Sequence, residues 1–172
     1  MNKVLETQRL YLRELFLDDT DDLAKIFMDK ESMKYYPRPF SRQEVINWIK
    51  WCRKNYLQYG HGLWAVVLKQ GDVFLGDCGI TMQDIDGERL PELGYHIKKE
   101  YCNMGFATEA AEKCIDYALK VLKLKKLYLY TKTDNNPSRH VAEKIGFKFV
   151  REFEKTVMSE EIVTEALYCY YI

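Results

Sequence analysis

The chain lacks the features that mark several protein classes. No C-x-x-C pair occurs, and the three histidines, His61, His96 and His140, lie far apart. That spacing argues against a structural zinc site, so no metal is expected. Five cysteines (Cys52, Cys78, Cys102, Cys114 and Cys169) are odd in number and scattered. They read as free thiols of a reducing, cytoplasmic setting rather than as a disulfide framework. No apolar run is long enough to span a bilayer, and Met1-Asn2-Lys3-Val4-Leu5-Glu6 opens no signal peptide. Neither G-x-x-x-x-G-K-[ST] nor G-x-G-x-x-G is present, which excludes two familiar phosphate loops. Charge of one sign is also missing: Lys plus Arg and Asp plus Glu each total 26. No nucleic-acid or membrane partner is therefore expected. The basic cluster Lys120–Lys126 is interleaved with hydrophobic residues and reads as a solvated helix end.

What is present suits a soluble globular protein. The chain has 172 residues, 47% hydrophobic and 30% charged, enough for one domain, 1–172, with a proper core. Leu10 to Leu15 alternates as a strand does. Asp18 or Asp19 stands where it could cap a helix bearing Leu23, Ile26 and Phe27. Ser41-Arg42-Gln43-Glu44 is a capping-box pattern opening a helix with Val45, Trp48, Ile49, Cys52 and Tyr56 on one stripe. Three strands follow, near 64–68, 73–82 and 92–97, with Gly71 and Asp86-Gly87 at the hairpin turns. A helix over 107–122 and a strand over 127–131 come next. Pro137 and Gly146 bracket a short helix. Strands near 149–157 and 162–171 end the chain. The order β-α-α-β-β-β-α-β-α-β-β predicts a mixed α/β (α+β) sheet of about seven strands. It is mostly antiparallel with one parallel pair, and helices cover both faces.

The segment Tyr101-Cys102-Asn103-Met104-Gly105-Phe106-Ala107-Thr108-Glu109 carries the most chemistry. A strand, a tight loop with one glycine, and a helix start converge there. Free N–H groups and the positive helix end can hold a phosphate at such a joint, and Gly105 permits a close approach. Many strand-loop-helix joints bind nothing, so the loop alone leaves both readings open.

Three stretches in order resemble the GNAT superfamily of acetyl-CoA-dependent N-acetyltransferases, across nearly the whole chain. Among its members the sequence looks most like the ribosomal-protein N-terminal alanine and serine acetyltransferases. The stretches are Thr7-Gln8-Arg9-Leu10-Tyr11-Leu12-Arg13; Glu92-Leu93-Gly94-Tyr95 with Gly105-Phe106-Ala107-Thr108-Glu109-Ala110; and Asn135-Asn136-Pro137-Ser138 with Glu143-Lys144-Ile145-Gly146-Phe147. The resemblance implies acetyl-CoA as co-substrate and direct transfer to an amine in a ternary complex. The acceptor would be a protein N-terminus or a small amine such as a polyamine or aminoglycoside. A non-catalytic acyl-CoA sensor is the reading from another class.

The resemblance also implies roles. Cys102, Asn103, Met104, Gly105, Phe106, Ala107 and Thr108 would hold the coenzyme A pyrophosphate. The edge of Tyr95, His96 and Ile97, splayed from the next strand, would pair with pantetheine and polarise the thioester. Asn135 would reach the cofactor from the far side. Tyr35, Tyr36 and Phe40, in the loop Met33–Phe40, would line the acceptor pocket or only cap the core. Glu92 is the candidate general base, through a water, against an ordinary strand-end carboxylate. Ser138 is the candidate thiol-side donor, against a local backbone partner. His96 reads as a packed or hydrogen-bonded strand residue rather than a base.

Two departures stand out. Cys102 occupies a position commonly Gln or Arg, and Ala142 stands where many relatives have a tyrosine acid. The run Glu165-Ala166-Leu167-Tyr168-Cys169-Tyr170-Tyr171-Ile172 suits either a homodimer interface or a covered inner strand.

Overall fold

A computed structural model describes residues 3–158 and 161–171. Met1, Asn2, Ser159, Glu160 and Ile172, the last residue of the apolar terminal run, lie outside the described residues. One sheet contains β1 (Lys3–Glu6), β2 (Leu10–Arg13), β3 (Leu63–Leu68), β4 (Val73–Ile85), β5 (Glu88–Ile97), β6 (Lys126–Lys132), β7 (Lys148–Val157) and β8 (Glu161–Tyr171). Their spatial order is β1-β2-β3-β4-β5-β6-β8-β7, and only β5 and β6 pair in parallel. The helices are α1 (Thr20–Phe27), α2 (Arg42–Tyr59), α3 (Phe106–Lys120) and α4 (Asn136–Lys144).

This is the mixed, mostly antiparallel sheet expected, with eight strands rather than about seven. The extra strand, β1, has four residues and pairs with β2 through a register irregularity. Strand β8 lies between β6 and β7, with Ala166, Leu167, Tyr168 and Cys169 buried. Residues Glu165 to Tyr171 of the terminal run therefore lie in an inner strand, with Tyr171 exposed at its end.

Strand alternation sorts the core onto two faces. On one, α1 and α2 lay Leu23, Phe27, Val45, Ile49 and Cys52 over Leu63, Ala65 and Val67. On the other, α3 and α4 lay Ala111, Cys114, Ile115 and Ala142 over Trp64, Val66, Leu93 and Leu129. The capping box of α2 forms as read: Glu44 N–H donates to Ser41 Oγ at 3.3 Å and Ser41 N–H to Glu44 Oε2 at 2.6 Å. Asp19 occupies the N-cap position of α1 without a side-chain cap bond. Its carboxylate instead accepts both Arg13 Nη groups, at 2.8 and 2.7 Å, and Phe16 N–H at 2.8 Å.

Turns fall where glycine and aspartate allow them. Asp86 (φ 53°) and Gly87 (φ 78°) make the two-residue β4–β5 hairpin, which needs positive φ at both positions. Gly76 matters for a different reason. A Cβ there would lie 1.9 Å from the His96 carbonyl oxygen, so β4 and β5 approach closely beside His96 only because the side chain is absent.

Candidate active site

Strands β4 and β5 pair from Gly76↔Ile97 to Ile85↔Glu88, and β6 and β8 from Lys126↔Tyr171 to Lys132↔Glu165. Between them, β5 and β6 pair at a single position, Glu92↔Tyr128. Beyond it they diverge, which leaves the Leu93–Ile97 edge without a strand partner on that side. The splay foreseen between these strands thus opens at Glu92. It presents backbone groups that a peptide-like chain can satisfy.

At the end of β5 a 3-10 turn, Lys99–Tyr101, leads into the loop before α3. Asn103 (φ 61°) and Gly105 (φ 80°) both adopt left-handed backbone. Gly105 is the N-cap of α3 and supplies no side-chain cap. Among the described residues, the N–H groups of 103–108 have no hydrogen-bond acceptor. Such an array at a helix start can take an anion. Phe106 buries its ring in the core, so it offers only backbone here. Met104 is exposed, and its carbonyl accepts Arg9 Nη1 at 3.1 Å.

Arg9 and Thr7 hold this loop from the far end of the chain. Glu109, in the first turn of α3, accepts Thr7 Oγ1 at 2.6 Å, Arg9 N–H at 2.9 Å and Arg9 Nε at 2.6 Å. The Arg9 guanidinium also lies 4.4 Å from the Phe106 ring centroid. Burial alone would raise the Glu109 pKa, but the donors from Thr7 and Arg9 together bring it below the usual carboxylate value. The Thr7-Gln8-Arg9 stretch carried the family resemblance without a stated role. Its structural task is to brace this loop.

The α1/α2 face of the splay carries Glu92, Gly94 and His96, since alternate residues share a face. Glu92 is 8% exposed and accepts Thr81 Oγ1 at 3.1 Å. Burial raises its pKa to about 7, more than Thr81, His96 and Lys155 offset. A solvated strand-end carboxylate would not be so placed.

His96 sits in a chain of hydrogen bonds. Its Nδ1 lies 2.7 Å from Asp77 Oδ1, and its Nε2 lies 2.9 Å from Tyr36 Oη. A carboxylate only accepts, so Nδ1–H donates to Asp77, and in the neutral ring Nε2 accepts the Tyr36 hydroxyl. Trp48 Nε1–H donates to Asp77 Oδ2 at 2.9 Å. Phe27 packs edge-on to His96 and stacks on Phe40. Tyr36 and Phe40 therefore join one aromatic wall packed against the core of this face. Tyr35 belongs to neither core cluster and carries Lys34 Nζ 5.4 Å from its ring. Asp77 is fully buried, and sequence reasoning missed it. The available signal was a lone acidic residue inside the apolar run Val73-Phe74-Leu75-Gly76-Asp77-Cys78-Gly79-Ile80.

On the other face, Tyr95 reaches α4. Its hydroxyl donates to the Ser138 carbonyl at 3.0 Å and lies 3.2 Å from Ser138 Oγ. Asn135 caps α4, accepting Ser138 N–H at 3.3 Å. That bond uses one of the two lone pairs of its side-chain oxygen, which leaves the other and the amide NH₂ able to meet a ligand. Ala142 is fully buried in the core. The Cys102 thiol lies 3.7 Å from the Ile97 and Lys98 carbonyls, and partial burial, then Glu100, push its pKa up. That opposes a thiolate nucleophile. Among the described residues no cluster of three His, Cys, Asp or Glu could hold a metal, and no helix is long and apolar enough to cross a membrane.

A splayed parallel pair beside an uncapped helix start, in a mixed sheet with helices on both faces, defines a GNAT-type fold. A family profile described as "Acetyltransferase (GNAT) domain" matches residues 9–148, and the chain belongs to that family. It is 32% identical to YkkB of Bacillus subtilis (strain 168) over 154 residues, 88% of each chain. The fold matches a GNAT-family acetyltransferase from Bacillus anthracis (TM-score 0.79, 27% identity, 97% of each chain). It also matches RimL, a ribosomal L7/L12 α-N-protein acetyltransferase, in complex with coenzyme A (TM-score 0.80, 11% identity, 99% of this chain and 98% of that one). The protein is a GNAT-family N-acetyltransferase.

Proposed function

We propose that the protein moves the acetyl group of acetyl-CoA to a primary amine by direct attack in a ternary complex. The observation that carries this reading is Glu92: a buried carboxylate, poised near neutrality, where the strands part. The N–H groups of 103–108 take the pyrophosphate, and the freed β5 edge pairs with pantetheine. This supports acetyl-CoA as the donor, as does the coenzyme bound by RimL. The amine approaches on the Glu92, Gly94 and His96 face, where a Cβ on Gly94 would lie 3.5 Å from both Glu92 carboxylate oxygens.

An alkylammonium has no lone pair, so its proton passes first to Glu92, directly or through a water. The neutral nitrogen then attacks the thioester carbonyl, whose oxygen is held by β5 backbone N–H groups. As the tetrahedral adduct collapses, the C–S bond breaks and the nitrogen's second proton passes to the departing sulfur, so coenzyme A leaves as the thiol. The departing sulfur accepts a hydrogen bond from Ser138 Oγ. Tyr95, behind Ser138, supplies the phenol that α4 lacks at Ala142. The likeness to RimL favours a protein N-terminus as acceptor, and the acidic wall described below favours a small amine. A sensor without turnover would have no use for a base so placed.

The test is acetyl-CoA-dependent thiol release over N-terminal peptides, polyamines and aminoglycosides. Wild type turns over on one class. Ser138→Ala and Tyr95→Phe each lower kcat by about tenfold or more. Undiminished turnover in both would remove the Ser138 and Tyr95 roles; coenzyme binding with no release on any acceptor would favour the sensor.

Arg9 offers a check on the loop. Arg9→Ala removes the brace on Met104 and Glu109 and uncovers the edge of the Phe106 ring, so coenzyme A affinity should drop about tenfold, or 1.4 kcal/mol. Global stability should change by less than about 1 kcal/mol, because the side chain is 43% exposed. Calorimetric titration and a melting curve read the two effects separately. Unchanged affinity would show that the loop needs no brace.

A further inference from the structure

Besides Glu92 and the hydrogen-bonded Asp77, the acceptor face carries a carboxylate that the transfer chemistry does not use. Glu165, on β8, is 7% exposed, and its Oε2 has no hydrogen-bond partner among the described residues. It lies on the same face of the sheet as Glu92: Glu92 pairs with Tyr128, Lys132 pairs with Glu165, and Tyr128 and Lys132 share a face of β6. Its charge is felt at Glu92, Tyr36 and Tyr130, the groups that ring the space beside the splay.

A buried carboxylate with an unpartnered oxygen calls for an explanation. Two lysines approach it, and neither satisfies it. Lys132 lies opposite on β6 and Lys155 on β7, close enough to act through their charges. Neither forms an ion pair with it among the described residues, and Lys155 Nζ donates to the Asp84 carbonyl at 2.9 Å instead. Asp134 adds a further negative charge nearby. Burial dominates, so Glu165, like Glu92, is held at about 7. The acceptor side is thus a desolvated acidic surface with one oxygen left to bond.

We infer that Glu165 is a docking site for a second ammonium, so that the acceptor is a diamine or polyamine. Its distal cation sits on Glu165 while its reacting nitrogen meets Glu92. This rests on the reading of Glu92's face as the acceptor side. Four residues of β6 separate the Glu92 and Glu165 levels, roughly 13 Å of strand at 3.3 Å per residue. The two nitrogens must therefore be joined by a spacer of several methylenes. A single-headed amine, or a peptide N-terminus followed by apolar side chains, would leave the Glu165 oxygen as bare as it is now. The distal cation supplies binding that the reacting centre does not, so its loss should appear chiefly in KM.

The experiment compares n-butylamine, putrescine, spermidine and alanyl- and seryl-peptides as acceptors, in wild type and Glu165→Gln. Glutamine keeps the shape and removes the charge; circular dichroism checks the fold. In wild type, spermidine should exceed n-butylamine at least thirtyfold in kcat/KM. In Glu165→Gln the ratio should fall tenfold or more, mainly through KM. An unchanged ratio, or peptides preferred over polyamines, overturns the inference. Calorimetric binding of spermidine to the coenzyme A-loaded protein makes the same comparison without turnover. Glu165-dependent binding with no thiol release sinks the transfer reading and leaves this one standing. Equal binding to both proteins sinks this one whatever the rates.

Discussion

Glu92→Gln is expected to lower kcat/KM by about a hundredfold or more while making the protein more stable at pH 8. Both effects come from one placement. Burial raises the Glu92 carboxyl from 4.5 to about 7. Below pH 4.5 the group is protonated in the folded and unfolded chains alike and contributes nothing. Between 4.5 and 7 the unfolded chain ionises while the folded one keeps its proton, so stability falls as pH rises. Above 7 the buried charge costs the folded state about 3 kcal/mol. Glutamine is neutral throughout and still accepts from Thr81, so the mutant's advantage grows from near zero at pH 4.5 to about 2–3 kcal/mol at pH 8. Urea midpoints at the two pH values measure it. Wild-type kcat/KM should rise with pH through an inflection near 7, and that inflection should vanish in the mutant. Glu165 sits close enough to raise Glu92 further, so the wild-type inflection belongs to the pair. No stability gain at pH 8 would mean that water solvates the carboxylate. A surviving inflection would place the base elsewhere. A buried base that weakens the fold is the usual form of a stability–activity trade-off, and the paired stability and rate measurements test whether Glu92 is one.

The parts of this fold legible in the sequence are those set by local rules. Helix α2 declared itself through Ser41 and Glu44, the β4–β5 hairpin through Asp86-Gly87, and α4 through Pro137 and Gly146, because each signal acts within a few residues. The splay between β5 and β6 could be expected only through the family resemblance, since no local pattern marks where two distant strands part. Strand β1 escaped because four residues give too short an alternation to read. The position of β8 between β6 and β7 depends on pairing partners far apart in sequence. Among candidate site residues, the loop from Cys102 to Thr108 stands out as a strand-loop-helix joint, and Glu92 and Ser138 are candidates through their position in the family motif. The contacts of Arg9, Glu109, Asp77 and Glu165 were not legible. Their partners lie tens of residues away: Arg9 meets Glu109, and Asp77 meets Trp48 and His96. His96 read as a hydrogen-bonded strand residue, and it is one, but its neighbours in the bond chain come from three separate elements.

That bond chain makes the second large effect predictable, and it separates two substitutions at one site. Asp77 is fully buried and accepts from Trp48 and His96. In Asp77→Ala both donors lose their acceptor inside the core, at an expected cost of about 3–5 kcal/mol. Asp77→Asn should cost only about 1–2 kcal/mol, because the amide oxygen can still accept from the indole. The amide NH₂ must then face His96 Nδ1, and two donors cannot meet. The imidazole resolves the clash by moving its proton to Nε2. Nε2–H now donates to the Tyr36 oxygen, and the Tyr36 hydroxyl proton turns out toward the acceptor pocket. The polarity of the chain is reversed with its heavy atoms in place. Nitrogen-15 spectra of the His96 ring should show the Nδ1–H tautomer in wild type and the Nε2–H tautomer in Asp77→Asn, with kcat/KM lowered by about tenfold. A merely structural Asp77 would lower stability in both variants and leave the activity of the folded asparagine protein untouched. Equal stability of the alanine and asparagine variants would mean that the indole and imidazole find other acceptors, and the chain would then carry no tautomer control at all.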